Sequence, residues 1–283
     1  RKKKENLKDI FSVFRDFRNY LGEAYLQFGE PINLNDFLKA YPREDYDSEK
    51  DWLFEVTPKL GNKIMKNINR ATVVTSSALF STAMLNSDGF SVSRNELIQR
   101  IDLLRAILKE DLYSSKTIIS EKKAEEIIDQ MKKLNFISKE DISDRISLSN
   151  KEAARLSFYR NNISHLLIIE SLICGFFQYK KTITKENLVD SLKMIFPFLK
   201  EEFFLKWEED ELESVIELKL QKLVKLKLLN EDSENFMRPN FKSKEFYETQ
   251  ALGKLVQPSI DRFYVLISQL WKNAKSHVSK NDL

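Results

Sequence analysis

Cysteine is nearly absent from this chain of 283 residues, since Cys174 is the only one. A single cysteine excludes any disulfide within the chain and favours a reducing compartment. Because Cys174 lies in an apolar run, we expect a buried small hydrophobe rather than a catalytic thiol. Only 6 glycines and 6 prolines stand against 20 phenylalanines. This composition predicts a folded chain with many regular elements and few long loops.

Neither sign of charge is in strong excess, because 46 basic residues face 43 acidic ones, a net charge of +3. A dedicated nucleic-acid-binding protein usually has a larger basic excess or a basic stripe. The one dense basic cluster, Arg1–Lys4, is terminal, where such runs are usually solvated. The longest apolar run, Ile163–Phe177, is interrupted by His165 and Glu170 and is too short to cross a bilayer unaided. The basic start leads into an amphipathic segment rather than the apolar core of a signal peptide.

Histidine is also scarce, and only His165 and His277 are available for acid–base chemistry. Each begins an H-x-x-x-x-acid pattern, ending at Glu170 and Asp282. On a regular helix this spacing turns the second side chain ~140° away from the first, so His165 and Glu170 would not pair. We expect the second pattern to lie in a frayed terminal tail and reject both as catalytic. A buried, hydrogen-bonded role for His165 is favoured over an acid–base or ligand role.

Other common catalytic signatures are missing. No glycine-rich phosphate loop, CxxC pair or G-x-S-x-G motif occurs, and suitable metal ligands are few. What stands out is a polar cluster beside an apolar run, in which Asn161 and Asn162 oppose the local helix propensity. Such residues indicate a buried polar network or a binding surface. The candidate substrate-binding residues are Tyr159, Arg160, Asn161, Asn162 and His165.

Apolar spacing predicts a mainly α fold whose first part, residues 1–45, is the end of an α/β domain. A helix over 5–21 is followed by alternation over Glu23–Phe28, which predicts a strand. One strand cannot form a sheet, so we expect its partners upstream of Arg1 or in another chain. The start at Arg1 rather than at a methionine agrees with a segment of a longer protein.

A charged, turn-rich linker over 41–51 separates that part from a helical domain over 46–283. There Thr57 is the expected N-cap of a helix with Pro58 in its first turn, running through Ile68 and towards Leu85. Residues 151–179 predict one long or two adjoining helices. A last helical stretch over 243–275 is expected to break near Gly253 or Pro258.

Two stretches, residues 91–149 and 182–240, look like copies of one unit. Ser93, with Glu96 three residues later in a capping box, and Thr184 are expected to open the first helices. Each second helix is followed by an acidic turn and a short strand, at 145–148 and 235–238. Helix, helix and wing in this order predict winged-helix-like repeats.

Four segments in order resemble bacterial-type glycerol-3-phosphate acyltransferases of the membrane-associated family. They are KKKENLKDIFSVFRDFRNYLGEAYLQFGEPINL, VTPKLGNKIMKNIN, SFYRNNISHLLIIESL and FPFLKEEFFLKWEEDEL. The matching residues include Arg18, Asn19, Gly22, Tyr25, Phe28–Pro31, Thr57, Pro58, Ile64, Met65, Ile68, Asn69, Tyr159–Asn162, His165, Ser171 and Leu172. Glu170 stands where the family has proline, and this departure is expected to let the helix continue.

The resemblance implies a C-terminal portion, because the family's H-x-x-x-x-D motif and phosphate-holding arginines lie upstream of these segments. The chain alone is then expected to be inactive, with no catalytic residue, and to brace an upstream catalytic domain. The implied reaction transfers a fatty acyl group from acyl-CoA or acyl carrier protein to the 1-hydroxyl of glycerol 3-phosphate. No cofactor or metal is expected, and the implied place is the cytoplasmic face of the bacterial inner membrane.

A non-catalytic interaction or regulatory module is the alternative. Against nucleic acid as its partner, the candidate recognition helix over 124–134 carries Glu125, Glu126 and Asp129, which would repel phosphates. Docking to protein remains open. Phe11, Phe14 and Phe17 beside basic residues would suit an interfacial membrane helix. Packing of this stripe against the upstream sheet is the favoured interpretation.

Overall fold

Helices account for most of the computed structural model, which describes residues 22–137, 144–233 and 235–273. The predicted mainly α class is confirmed by 11 helices and a few small sheets within those ranges. The helices are α1 (Leu34–Leu38), α2 (Glu49–Arg70), α3 (Ser76–Leu85), α4 (Arg94–Glu110), α5 (Ala124–Lys133), α6 (Asn150–Ser164), α7 (Ile168–Tyr179), α8 (Lys185–Phe203), α9 (Leu212–Lys225), α10 (Lys244–Gly253) and α11 (Gln257–Asn273). The strands are β1 (Val73–Val74), β2 (Ser91–Ser93), β3 (Ile118–Ile119), β4 (Arg145–Ser147), β5 (Thr182–Thr184), β6 (Asn230–Asp232) and β7 (Asn235–Met237).

The long helix α2 corrects the predicted start at Thr57. It begins at Glu49, where Ser48 is the N-cap and its hydroxyl accepts a bond from the Asp51 amide at 3.1 Å. A serine cap with acidic residues in the first turn is a stronger start signal than a later proline. Pro58 therefore lies inside the helix, where its missing N–H leaves one carbonyl without its usual donor.

The predicted continuation of this helix to Leu85 is also wrong. The helix ends at Arg70, and β1 follows directly and pairs in parallel with β3. Thr75 then caps α3, accepting a bond from the Ala78 amide at 3.2 Å. The two β-branched valines of β1 favour the extended backbone that separates the helices.

The predicted strand over Glu23–Phe28 is not a strand in the structure. Residues 22–33 are extended but belong to no helix or sheet, because no neighbouring strand among the described residues supplies a ladder. Side chains hold the segment instead: Gln27 donates to the Lys116 carbonyl at 3.0 Å, and Asn67 donates to the Glu30 carbonyl at 2.9 Å. The predicted helix over 5–21, with Phe11, Phe14 and Phe17, lies outside the described residues.

Two units with the same order of elements follow one another. In each, a short strand precedes the first helix and pairs antiparallel with a strand after the second helix. In the second unit this partner is β7, which also pairs with β6. Val92 is opposite Ile146 in the first unit, and Ile183 is opposite Phe236 in the second. The winged-helix interpretation of this order stays a prediction.

The predicted caps of the two units are present. Ser93 accepts a bond from the Glu96 amide at 3.2 Å, and Thr184 accepts one from the Asn187 amide at 3.2 Å. The capping box at Ser93 is only half formed, because the Glu96 carboxylate pairs with Arg100 at 2.5 Å. A full cation is a stronger partner for that carboxylate than the backbone amide.

Each unit is completed by a helix pair. Helix α6 packs on α3, and α10 packs on α7. Of the two interpretations of 151–179, two adjoining helices are found. The break lies before Glu170, between Ser164 and Ile168, so one unbroken helix is not found, although α7 itself runs past Glu170 to Tyr179. Helix α6 closes with 3₁₀-type bonds from the Leu166 and Leu167 amides to carbonyls three residues earlier, and Glu170 falls in the first turn of α7. The predicted break near Gly253 is confirmed between α10 and α11.

The two units share one apolar core. Phe80, Ile101 and Ile127 from the first unit belong to the same buried cluster as Phe177 and Leu223 from the second. Cys174 is fully buried in it, as expected of a small hydrophobe. In the described part of the chain, no helix combines the length and apolar character needed to cross a bilayer.

Candidate functional site

A groove of ≈ 780 Å³ lies where the end of α2, the start of α3 and the C-terminal half of α6 meet. The extended residues 22–29 form one of its walls. Four of the five candidate residues, Tyr159, Asn161, Asn162 and His165, line this groove. The groove is therefore the place where the sequence-predicted cluster comes together.

Helix α6 positions these side chains through its regular spacing. Asn161 and Asn162 precede His165 by about one turn, so all three lie on neighbouring parts of one face. Tyr159 is fixed by two edge-to-face contacts, with ring centroids 5.8 Å from Phe136 and 5.6 Å from Phe158. The aromatic end of the groove is thus packed, while the two amides are exposed.

His165 forms the floor of the groove and is only 4% exposed. Its Nε2 lies 3.2 Å from the Asn69 carbonyl and 3.1 Å from the Thr72 hydroxyl. Because a carbonyl only accepts, this contact assigns the proton to Nε2. Burial lowers the pKa of His165 to about 4, although the bond to Asn69 partly opposes this change. The ring is neutral at ordinary pH, and its Nε2–H is already used.

The surroundings of His165 tie three helices together. The Asn69 amide donates to the carbonyls of Phe203 and Phe204 at 2.7 and 3.1 Å, at the end of α8. Tyr113 packs edge-on against the imidazole with centroids 5.2 Å apart, and burial raises its pKa to about 12. This geometry supports the favoured interpretation of His165 as a buried, hydrogen-bonded residue. His165 and Glu170 make no contact with each other; their partners lie on different elements.

The walls of the groove combine amide and hydroxyl groups with apolar side chains such as Met65 and Ile68. Gln27, Gln130 and Ser77 join the two asparagines, and Glu23 is the one carboxylate in the lining. Lys122 pairs with Glu23, so the negative charge of Glu23 is compensated. Such walls hydrogen-bond neutral polar groups or main chain. The Thr72 hydroxyl lies against His165, but it donates to the Asn69 carbonyl at 2.8 Å, as the Nε2–H of the ring does, so this pair is not an activated nucleophile.

Arg160, the fifth candidate, does not line the groove. Its half-buried guanidinium donates to the Asn161 side-chain oxygen at 3.2 and 3.3 Å. Burial and the nearby charge of Arg262 lower its pKa. No carboxylate among the described residues pairs with it, whereas Arg262 pairs with Glu202. The cation of Arg160 thus remains available on another side of α6.

One polar cluster was missed at the level of sequence: the buried charges of Glu170, Lys219 and Lys222, with Asp111, whose side chain is 32% exposed, at its edge. Lys219 Nζ lies 3.1 Å from Glu170 and 2.5 Å from Asp111, and Lys222 also pairs with Glu170. The sequence of α9 carries a signal that Lys219 is buried. Lys219 stands four residues after Val215 and four residues before Leu223. Helical spacing therefore places it in the buried stripe.

A metal centre is not supported within the described ranges, where no group of three or more His, Cys, Asp or Glu side chains converges. Together, the fold and the groove define a helical region of two related units, with a groove beside the first unit that carries amide and hydroxyl groups. The family model for the glycerol-3-phosphate acyltransferase C-terminal region matches residues 1–283. The chain therefore belongs to the glycerol-3-phosphate acyltransferase C-terminal family.

Curated relatives agree with this family. The glycerol-3-phosphate acyltransferase of Pseudomonas paraeruginosa (strain DSM 24068 / PA7) is 28% identical over 290 residues, which cover 100% of this chain and 35% of the relative. Those of Pseudomonas fluorescens (strain Pf0-1) and Pseudomonas putida (strain GB-1) are 27% and 28% identical over the same shares. The chain spans about a third of the length of these relatives.

Proposed function

We propose that this chain is the C-terminal region of a glycerol-3-phosphate 1-O-acyltransferase. The complete protein would transfer a fatty acyl group from acyl-CoA or acyl carrier protein to glycerol 3-phosphate in phospholipid synthesis. The observation that carries the proposal is the family match over the whole of residues 1–283. The proposed site of action is the cytoplasmic face of the bacterial inner membrane, without a cofactor.

The catalytic base is proposed to belong to an upstream domain. In support of this, the only histidine among the described residues, His165, is buried and uses its Nε2–H in a structural bond. General base catalysis on a hydroxyl needs an accessible basic nitrogen within hydrogen-bond reach of the acceptor. The role proposed for this chain is therefore to hold and orient the catalytic domain.

The extended segment 22–33 is the proposed connection between the two parts. Two ion pairs, Glu23–Lys122 and Glu30–Lys116 (2.7 Å), fix it to the loops around β3. Two side-chain bonds from Gln27 and Asn67 add to these. A segment held at four points would fix the orientation of the helical region relative to the proposed upstream domain. A free linker would leave that orientation variable.

Acyl transfer by two purified proteins tests the proposal. The complete protein is expected to form lysophosphatidic acid from glycerol 3-phosphate with acyl-CoA or acyl carrier protein, while residues 1–283 alone form none. A complete protein whose upstream H-x-x-x-x-D histidine is changed to alanine serves as the inactive control. Turnover by residues 1–283, or no glycerol 3-phosphate-dependent product from the complete protein, would contradict it.

The alternative of a nucleic-acid-binding module is disfavoured by the surface of α5. Glu125, Glu126 and Asp129 are all exposed on this helix. Three carboxylates on the candidate recognition helix repel a phosphate backbone. We therefore propose the upstream domain and the membrane surface as partners, and no nucleic acid.

A further inference from the structure

The second unit exposes cations and aromatic rings together at one end of its three-stranded sheet. Tyr179 and Phe241 are 79% and 68% exposed, and lysines accompany both. We call this surface the aromatic–basic patch; it consists of Tyr179, Lys180, Lys181, Arg238, Phe241 and Lys242. These residues come from two stretches of sequence, before β5 and after β7.

Direct contacts bring the two stretches into one surface. The Arg238 amide donates to the Lys181 carbonyl at 3.1 Å, which joins the ends of β7 and β5. The Arg238 guanidinium lies 5.4 Å from the Phe246 ring centroid, and Phe241 packs on the same ring at 5.3 Å. Lys242 Nζ is 5.6 Å from the Phe241 centroid. The patch is thus a packed surface rather than a chance scatter of side chains.

The four cations of the patch have no carboxylate partner among the described residues. Lys180, Lys181, Arg238 and Lys242 take part in none of the ion pairs there. Two other lysines of the same unit are compensated: Lys185 pairs with Glu217 at 2.7 Å, and Lys193 with Glu213 at 3.0 Å. On α10, the carboxylate of Glu248 pairs with Lys244 at 3.5 Å. The patch therefore carries an uncompensated positive charge.

The first unit shows that the fold does not require this patch. At the matching position the Leu148 amide donates to the Phe90 carbonyl at 3.0 Å, so two apolar residues stand where Arg238 and Lys181 stand. Two residues, 148–149, connect β4 to α6, whereas six residues, 238–243, connect β7 to α10. The longer connection supplies Phe241 and Lys242.

The distribution of charge over the second unit favours a flat anionic surface, rather than a long polyanion, as the binding partner of the patch. At the other end of the same sheet, four carboxylates, Glu186, Asp190, Glu213 and Glu231, outnumber the two cations, Lys185 and Lys193, in the lining of a hollow of ≈ 570 Å³. A nucleic-acid strand running along the unit would meet these carboxylates, whereas a bilayer would touch only one end. Rings flanked by long cationic side chains suit the headgroup region, where the rings enter and the charges meet lipid phosphates.

We propose that the aromatic–basic patch binds the headgroup region of an anionic bilayer. The proposal names the surface that contacts the membrane partner of the proposed function. It rests on the proposed function only for the identity of that membrane. Vesicle binding needs no acyl transfer, so the two proposals fail separately.

Flotation of the 283-residue chain with phosphatidylglycerol-containing vesicles and with pure phosphatidylcholine vesicles tests the patch. The chain is expected to bind only the anionic vesicles. K180A/K181A should weaken this binding roughly 30-fold, from about 1 kcal/mol per cation. F241S should weaken it about tenfold through lost apolar burial. K132A/K133A removes the same charge from the first unit, where neither lysine has an ion-pair partner among the described residues, and should change binding less than twofold.

Three outcomes would overturn the proposal. One is no binding to anionic vesicles. Another is binding that the patch variants leave intact but that F11S/F14S/F17S abolishes, which would assign the contact to the N-terminal stripe. The third is patch-dependent binding of a single-stranded DNA oligonucleotide without vesicle binding. Circular dichroism spectra that match the unchanged chain confirm that each variant is folded.

Discussion

Glu170 and Lys222 form an ion pair inside the protein, with 1% and 4% of their side chains exposed. The pair joins α7 to α9, and Lys219 lies 3.1 Å from the same carboxylate. Burial opposes the charged form of Glu170, but the two lysines outweigh it and hold its pKa below the usual value. The buried carboxylate with two cations thus lies within the second unit, and the cluster reaches the first unit through Lys219, which pairs with Asp111, and Lys222, which donates to the Ile107 carbonyl.

Removing one partner of this pair should be costly. We expect Lys222→Met to lower the free energy of unfolding by about 3–5 kcal/mol, because Glu170 loses one of its two counter-charges in the interior. The double variant Glu170→Gln/Lys222→Met should recover part of that loss. Urea unfolding followed by circular dichroism measures both.

The exposed pair Asp36–Lys39 is the matched control for this experiment, since its side chains are 62% and 76% exposed. Asp36→Asn should change the unfolding free energy by less than about 1 kcal/mol. If Lys222→Met costs no more than Asp36→Asn, the buried pair does not stabilise the contact between α7 and α9.

A pH-dependent loss of stability is predicted from His165. Its pKa falls to about 4 in the folded protein through burial, while the ordinary value is 6.5. The unfolded chain therefore binds the extra proton first as pH falls, so the stability present above pH 6.5 is lost towards pH 4. Between pH 7.5 and pH 5 this group should remove about 2 kcal/mol.

The comparison variant is His165→Gln, whose amide reaches the same carbonyl but does not titrate. The unfolding free energy of this variant is measured in urea at pH 7.5 and at pH 5. Its decrease between these two pH values should be about 2 kcal/mol smaller than the decrease for the unchanged chain. The carboxylates contribute equally to the pH dependence of stability in both proteins, so their contribution cancels in the comparison. Equal pH slopes would show that His165 is protonated in the folded state.

Local signals in the sequence predicted the starts of the first helices of both units. Ser93 and Thr184 are N-caps because short hydroxyl side chains satisfy the free amides of the first turn wherever they occur. Pro58 misled the prediction, because α2 starts at the Ser48 cap and continues through the proline. Local propensity was overridden there by the longer helix.

The groove and the buried charges depend on contacts between distant residues. Tyr159–His165 were predicted as one cluster, yet the far wall comes from residues 22–29 and the start of α3, which no local pattern links to α6. Lys222 stays charged in the interior only because Glu170, 52 residues earlier, faces it. Pairing of this kind follows from the assembled core and not from helical periodicity.

Gly29 should be needed for the seating of the extended segment on α2. A Cβ at this position would lie 2.9 Å from the Asn67 carbonyl oxygen, so Gly29→Ala must push the segment away. We expect proteolysis within residues 22–33 to become at least several-fold faster, with the unfolding free energy of the helical units unchanged. Limited proteolysis followed by mass spectrometry measures the cleavage rate.

Gly61→Ala is the control on the same helix surface. Nothing lies within 4 Å of a Cβ there, and Gly61 is inside α2. Alanine should stabilise the helix by about 0.5–1 kcal/mol and leave cleavage of the segment unchanged. Equal cleavage of the Gly29→Ala chain and the unchanged chain would mean that close approach to Asn67 does not hold the segment.

Arg160 should affect acyl transfer by the complete protein. Its half-buried guanidinium has no carboxylate partner in the described part of the chain and contacts Asn161, which lines the groove. We expect Arg160→Ala to lower turnover with acyl-CoA and glycerol 3-phosphate more than tenfold while the thermal midpoint shifts by only a few degrees. Arg155→Ala is the control, because Arg155 is exposed on the same helix and covers the Phe136 ring at 4.7 Å. Unchanged kinetics for Arg160→Ala, or an equal loss for Arg155→Ala, would show that the segment has a structural role alone.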